Sequence, residues 1–190
     1  GLPIGTGRLA AMLLGEAGRE RLALNHEWLW RGGNRNREAD RSAERLQEVR
    51  DLLLAGDYEA GTVAGNDAFA GGGGRKRAER PSRVDPYQPA GDLHVALDHG
   101  PAGDYRRELD LERGIATVCY RADEVAYRHA FLAHLDHDLL LLRLSADAPF
   151  SGSLRLDRID DPDCHLHHQR IEERLLLDGL FQHGLGWRCE

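Results

Sequence analysis

Asn25, His26, Glu27, Trp28 and Trp30 bring an amide, an imidazole, a carboxylate and two indoles together within one short stretch. They follow a glycine-punctuated segment, Leu2 to Arg8 (LPIGTGR), and precede Gly32-Gly33. Indole rings offer flat apolar faces, while Asn, His and Glu offer donors and acceptors, so the set suits a surface that meets sugar hydroxyls. A hairpin edge packed on a neighbouring domain, with Trp28 and Trp30 filling the interface, uses the same residues. The two readings are compatible where such an interface borders a pocket. Arg8 is expected to form a salt bridge or backbone contact that fixes the Gly5–Gly7 turn.

Other groupings carry less chemistry. His165, His167 and His168, with Asp163 and Cys164 beside them, contain metal-ligand types. Tight spacing alone rarely supplies tetrahedral geometry, so neither a metal nor a cofactor is expected. His134, Asp136, His137 and Asp138 stand at a strand entrance, where capping and turn bonding account for them. Ser151-Gly152-Ser153 reads as a turn, and no Gly-x-Ser-x-Gly nucleophile motif occurs. The three cysteines, Cys119, Cys164 and Cys189, are an odd number without metal-type spacing and are read as reduced structural thiols. Gly71 to Gly74 and Arg75-Lys76-Arg77 lack a following Gly-Lys-Ser/Thr, so they are read as a surface loop and not a phosphate cradle.

The elements that must position these residues read as mainly β. Arg8 to Gly15 is a first strand, Glu16 to Arg19 a turn, and Glu20 to Asn25 the return strand. His26 to Trp30 continues that strand until Gly32-Gly33. The period then changes. Leu46, Val49, Leu53 and Leu54 fall on one helical face within Glu44 to Ala55, and Gly56 is placed to stop that helix. Asp57 is expected to cap a second helix through Ala64. After Pro81 the strands resume: Gly91 to Leu97, Tyr105 to Leu111, Ile115 to Tyr120, and a strand whose Val125, Tyr127, His129 and Phe131 share one face. Leu139 to Leu144, apolar on both faces, is expected as an inner strand. Ser153 to Asp157 is another, and Arg174 to Asp178 with Gly184 to Cys189 reads as a hairpin around Gly179. Many short strands at regular spacing imply a large antiparallel β-sandwich with a helical insertion around 40–65.

Bulk properties narrow the function class. The 190 residues suit one domain, and 41% hydrophobic with 30% charged residues suits a folded globular chain. A formal charge of −7 argues against nucleic acid or an anionic membrane as partner. The longest apolar run, Leu139 to Leu142, is far too short to cross a bilayer as a helix. The chain opens on Gly without a basic leader region and stops at Trp187-Arg188-Cys189-Glu190 as if within a strand. It is therefore expected to be a fragment or processed product whose compartment is not readable.

Taken in order, the segments resemble the N-terminal domain of glycoside hydrolase family 95, the inverting α-L-fucosidases. LPIGTGRLAAM at Leu2 to Met12 is similar to that family's LPIGNGRLGAM. Glu20 to Asn25 and Leu29 to Gly33 follow its ERIQLNEDTLWSGG, and EVRDLLLAGDY at Glu48 to Tyr58 its leucine-rich helix. PYQPAGDL at Pro86 to Leu93 is the most specific match, to PYQPLGDL. Tyr105 to Leu111, Ile115 to Tyr120, Tyr127-Arg128 with Phe131, His134 and Asp136, and Arg143 to Asp147 match successive blocks. The departures are Thr6 for the usual Asn and His26-Glu27-Trp28 for the usual Glu-Asp-Thr. The second falls where substrate contact is expected, which leaves the sugar specificity open. Related members prefer L-galactose-type sugars.

The resemblance implies a large β-sandwich (a supersandwich, here incomplete) beside an (α/α)6 barrel that holds the general acid and the Asn-activated water. No such motif lies in these residues, so no catalytic residue is assigned and the isolated chain is expected to be inactive. Inverting glycoside hydrolysis places two carboxyls about 6.5–9.5 Å apart. Asp160-Asp161 and Glu172-Glu173 are sequence neighbours, which point to opposite faces of a strand, and are read as solvated surface charge. The expectation is a domain, residues 1–190, that packs on the barrel of an enzyme acting on terminal α-L-fucosyl or L-galactosyl linkages of fucosylated glycans. The alternative is a non-catalytic carbohydrate-binding or domain-docking sandwich.

Overall fold

A computed structural model describes residues 1–31, 42–69, 87–182 and 186–190. The readings on Gly32-Gly33, Gly71 to Arg77, Pro81, Pro86 and Gly184 lie outside those residues. The chain divides into two units, one of Gly1–Arg31 with Tyr87–Glu190 and one of Gly32–Pro86.

Among its described residues the first unit builds only antiparallel β-sheets. Five strands pair in the order β1 (Leu2–Gly5), β2 (Leu9–Leu13), β3 (Arg19–His26), β4 (Gly91–Leu97) and β9 (Gly152–Asp157). Four more form a meander of β5 (Ala102–Asp110), β6 (Ile115–Ala122), β7 (Val125–His134) and β8 (Leu139–Ala146). A smaller sheet holds β10 (Cys164–Ile171), β11 (Arg174–Phe181) and β12 (Gly186–Cys189).

Alternation explains the layering, because successive side chains leave opposite faces of a strand. On β3, Glu20, Leu22 and Leu24 point inward while Arg19 and Arg21 stay exposed. On β6, Ala116, Val118, Tyr120 and Ala122 are all buried. The inner faces meet in one core that joins Leu13 and Leu22 of the first sheet, Tyr120 and Phe131 of the second, and Leu177 and Phe181 of the third. Burying an aliphatic or aromatic side chain of this size contributes about 2–3 kcal/mol.

The hairpin of β2 and β3 forms as expected, with Leu13 opposite Leu22 and Leu9 opposite His26. Gly18 makes its turn possible, since a φ of +71° suits glycine. Four expectations are corrected. β3 continues only as far as His26, and Glu27 to Trp30 does not extend it; the chain turns there, with Leu29 N–H donating to His26 O at 3.0 Å. Leu139 to Leu144 is not an inner strand, because β8 lies at the edge of its sheet and leaves Leu139 and Leu141 about half exposed. Gly179 is not a turn but a β11 residue opposite Trp187, whose indole occupies the space a side chain would need. The second helix runs past Ala64.

The second unit contains α1 (Ser42–Leu54) and α2 (Tyr58–Phe69). Gly56, at φ +83°, ends α1, and Asp57 Oδ1 accepts from Ala60 N–H at 3.0 Å as an N-cap. Gly61 lacks a side chain where Leu53 packs, and Arg45 links Glu48 and Asp67 at 3.0 and 2.9 Å across the pair. Of the predicted apolar stripe only Val49 is buried; Leu46, Leu53 and Leu54 are exposed.

Candidate functional site

Three loops converge where β3 ends. The first is the β1–β2 turn. Thr6 Oγ1 accepts from Leu9 N–H at 3.1 Å and from Arg8 N–H at 3.3 Å, and Gly7 turns the chain at φ +95°. Thr6, where the resemblance expects Asn, therefore holds the turn with a hydroxyl. The second is His26–Trp30, and the third is the β7–β8 turn, Leu135–Asp138.

Arg8 joins all three. Its Nε lies 3.1 Å from Glu27 Oε1, its Nη2 3.7 Å from Asp138 Oδ2, and its guanidinium 4.5 Å over the Trp28 ring. It thus forms the expected salt bridge, but toward the aromatic turn and the β7–β8 loop. His26 Nε2 lies 3.1 Å from the same Asp138 oxygen, and Trp28 N–H donates to His26 Nδ1 at 3.3 Å. The His26 and Trp28 rings meet edge-on at 5.5 Å.

The two indoles are held differently. Trp30 Nε1–H donates to Glu27 O at 2.8 Å, and its ring meets Tyr87 edge-on at 5.1 Å. Tyr87 in turn donates its hydroxyl to His26 O at 2.9 Å. Partial burial and the nearby Glu27 charge push the Tyr87 phenol pKa above its ordinary value. Trp28 is 70% exposed and presents most of its ring to solvent. Asn25 is half-buried on β3 opposite Ala10 and joins none of these bonds among the described residues. Of the five sequence candidates, four share this network and Asn25 borders it.

Asp138 and Tyr87 are the members that sequence reasoning missed. Asp138 belongs to a group assigned to turn bonding, and its partners lie more than a hundred residues away. Tyr87 stands in the PYQPAGDL block, and it reaches the rim through the tertiary bridge to Trp30 and the bond to His26 O.

A second polar cluster lies on the other side of that bridge. Arg158, with a side chain only 1% exposed, bonds Gln88 Oε1 at 3.0 Å and Pro89 O at 3.1 Å, and approaches Asp161 at 3.5 Å. Arg31 pairs with Asp161 and, at 3.0 Å, with Asp163. Both guanidiniums lie over the Phe181 ring, at 5.1 Å for Arg31 and 5.6 Å for Arg158. Asp161 is therefore not solvated surface charge; it is mostly buried against two cations. The arrangement ties β9, β11 and the Gln88 segment together.

The histidine cluster does not converge. His167 Nδ1 lies 2.9 Å from Gln169 Nε2, His168 faces Asp157 at 3.5 Å, and Asp163 is engaged by Arg31. Among the described residues no three His, Cys, Asp or Glu side chains form a metal-binding group. No described helix is long and apolar enough to cross a membrane.

Residues 1–180 match the family described as glycosyl hydrolase family 65, N-terminal domain. Alpha-L-fucosidase 2 of Arabidopsis thaliana is 32% identical over 171 residues, which cover 88% of this chain and 18% of that protein. Probable alpha-fucosidase A of Aspergillus oryzae is 30% identical over 159 residues, covering 78% of this chain and 20% of that protein. The chain thus spans about a fifth of the length of these curated relatives. The matched family carries the number 65, while the named relatives are fucosidases, in line with the motif blocks that resemble family 95.

Proposed function

The chain belongs to the glycosyl hydrolase family 65 N-terminal domain family, and on that premise we propose that residues 1–190 are the β-sandwich domain of an inverting α-L-fucosidase-type enzyme. The parent acts on terminal α-L-fucosyl or related L-galactosyl linkages of fucosylated glycans. Its catalytic pair resides in an (α/α)6 domain, and the His26–Trp30 edge borders that domain's sugar pocket.

One observation carries the reading. Trp28 stands largely exposed at the rim while Arg8, His26, Glu27 and Asp138 bond to one another behind it. Charged groups engaged in this way form a scaffold, and the exposed indole is left to meet the C–H face of a neutral sugar. Both carboxylates of the network already hold Arg8, an arrangement that suits support better than proton transfer.

Calorimetric titration of the chain with fucosylated oligosaccharides tests the proposal. Binding is expected for the native chain and lost in Trp28→Ala. Equal binding by both proteins would move the sugar site elsewhere. No binding by either would leave this edge a docking surface alone.

A further inference from the structure

We infer that Asp138, at the turn between β7 and β8, is the positioning residue of this edge: acting through His26, it sets the ring tautomer on which the Trp28 turn is built. The inference rests on the reading of His26–Trp30 as the sugar-facing edge.

One donor in this turn has no choice of partner type. The Trp28 backbone N–H can only donate, and it donates to His26 Nδ1 at 3.3 Å. Nδ1 must therefore carry a lone pair, and a neutral imidazole then places its hydrogen on Nε2. Nε2 lies 3.1 Å from Asp138 Oδ2, an acceptor matched to that hydrogen. One carboxylate thus selects the tautomer that lets Nδ1 accept the Trp28 amide. The His26 carbonyl accepts from Leu29 N–H at 3.0 Å and from the Tyr87 hydroxyl at 2.9 Å, so the turn that presents Trp28 is pinned from both sides of His26.

The backbone supports the same assignment. Asp138 sits at φ +53°, a left-handed conformation that Asp and Asn tolerate and most residues do not. Its Oδ2 also receives Arg8 at 3.7 Å, and Arg8 covers Trp28 at 4.5 Å. The carboxylate therefore reaches Trp28 by two routes, through the His26 ring and through the Arg8 guanidinium, without touching it.

Long-range nitrogen–proton NMR of the histidine rings in the full chain, at pH about 8 where an ordinary imidazole is neutral, tests the inference. His26 is expected to show the Nε2–H pattern. In Asp138→Gly, which keeps the left-handed backbone but removes the acceptor, the pattern should average between tautomers. Hydrogen exchange at the Trp28 amide should then accelerate about tenfold, as loss of one hydrogen bond implies. Asp138→Asn, which keeps a carbonyl acceptor and tolerates the same φ, should restore both signals. An Nδ1–H pattern in the native chain, or ring and amide signals unchanged in Asp138→Gly, overturns the inference. These readings need no sugar. Failure of the chain to bind methyl α-L-fucopyranoside would count against the proposed function and leave the ring pattern to decide for Asp138.

Discussion

His129 gives the prediction with the clearest sign. It is 2% exposed on the inner face of β7, where its ring meets Tyr120 at 5.4 Å and Phe131 at 6.5 Å. Burial, with a lesser contribution from the charge of His99, lowers its pKa from 6.5 to about 4. The folded protein therefore keeps this ring neutral where the unfolded chain takes up a proton. Stability falls as pH drops below 6.5 and stops falling near 4, where both states are protonated. A shift of this size corresponds to about 3 kcal/mol. Glu20 acts in the opposite sense. Buried on β3, its carboxyl is pushed above its ordinary pKa by desolvation, so its contribution is largest in acid and is lost as pH rises. The native pH curve mixes the two, and the difference between native and His129→Phe isolates the histidine. Urea titrations of both proteins across this range should show the native advantage shrinking by about 3 kcal/mol toward acid. A difference that stays flat, or that grows toward acid, would mean that His129 is not held neutral by burial.

The geometry also sets the cost of four other substitutions. Asp161→Ala removes the carboxylate shared by Arg31 and by Arg158, whose side chain is 1% exposed. It should cost about 3–5 kcal/mol in chemical denaturation, as breaking a buried pair does. In Gly91→Ala a Cβ would lie 2.7 Å from Asp157 O at φ +150°, so a loss of about 2 kcal/mol or more is expected, read as a lower urea midpoint. Trp28→Ala, at a site 70% exposed, should shift stability by less than about 1 kcal/mol, whereas Leu177→Ala, fully buried, should cost about 3 kcal/mol in the same titration.

The β layers were legible because alternation is local. Val125, Tyr127, His129 and Phe131 declare one face of β7 without any tertiary information. Gly91 to Leu97 matches β4 residue for residue. What local pattern cannot carry is the order of strands in a sheet. The leucines of β8 imply burial on both sides, yet the strand lies at an edge and its alternate leucines are exposed. Gly179 illustrates the same limit: glycine signals a turn by default, but here it makes room for Trp187 across a strand pair.

The site was half legible for a related reason. His26, Glu27, Trp28 and Trp30 are adjacent in sequence, so their chemistry is visible as a string. Asp138 reaches His26 only through the packing of β1 and β2 against β7 and β8, and nothing in its own neighbourhood distinguishes it from an ordinary turn aspartate. Asp161 was likewise read beside Asp160 as surface charge, because its cationic partners Arg31 and Arg158 come from separate segments.

In the proposed function this sandwich supports a sugar pocket whose cleaving groups lie in a neighbouring helical domain. The sharpest check is to incubate the purified chain with an aryl α-L-fucoside and follow aryl alcohol release. Release no faster than in buffer is expected. Saturable release by the chain alone would place cleaving groups within these residues and end that reading.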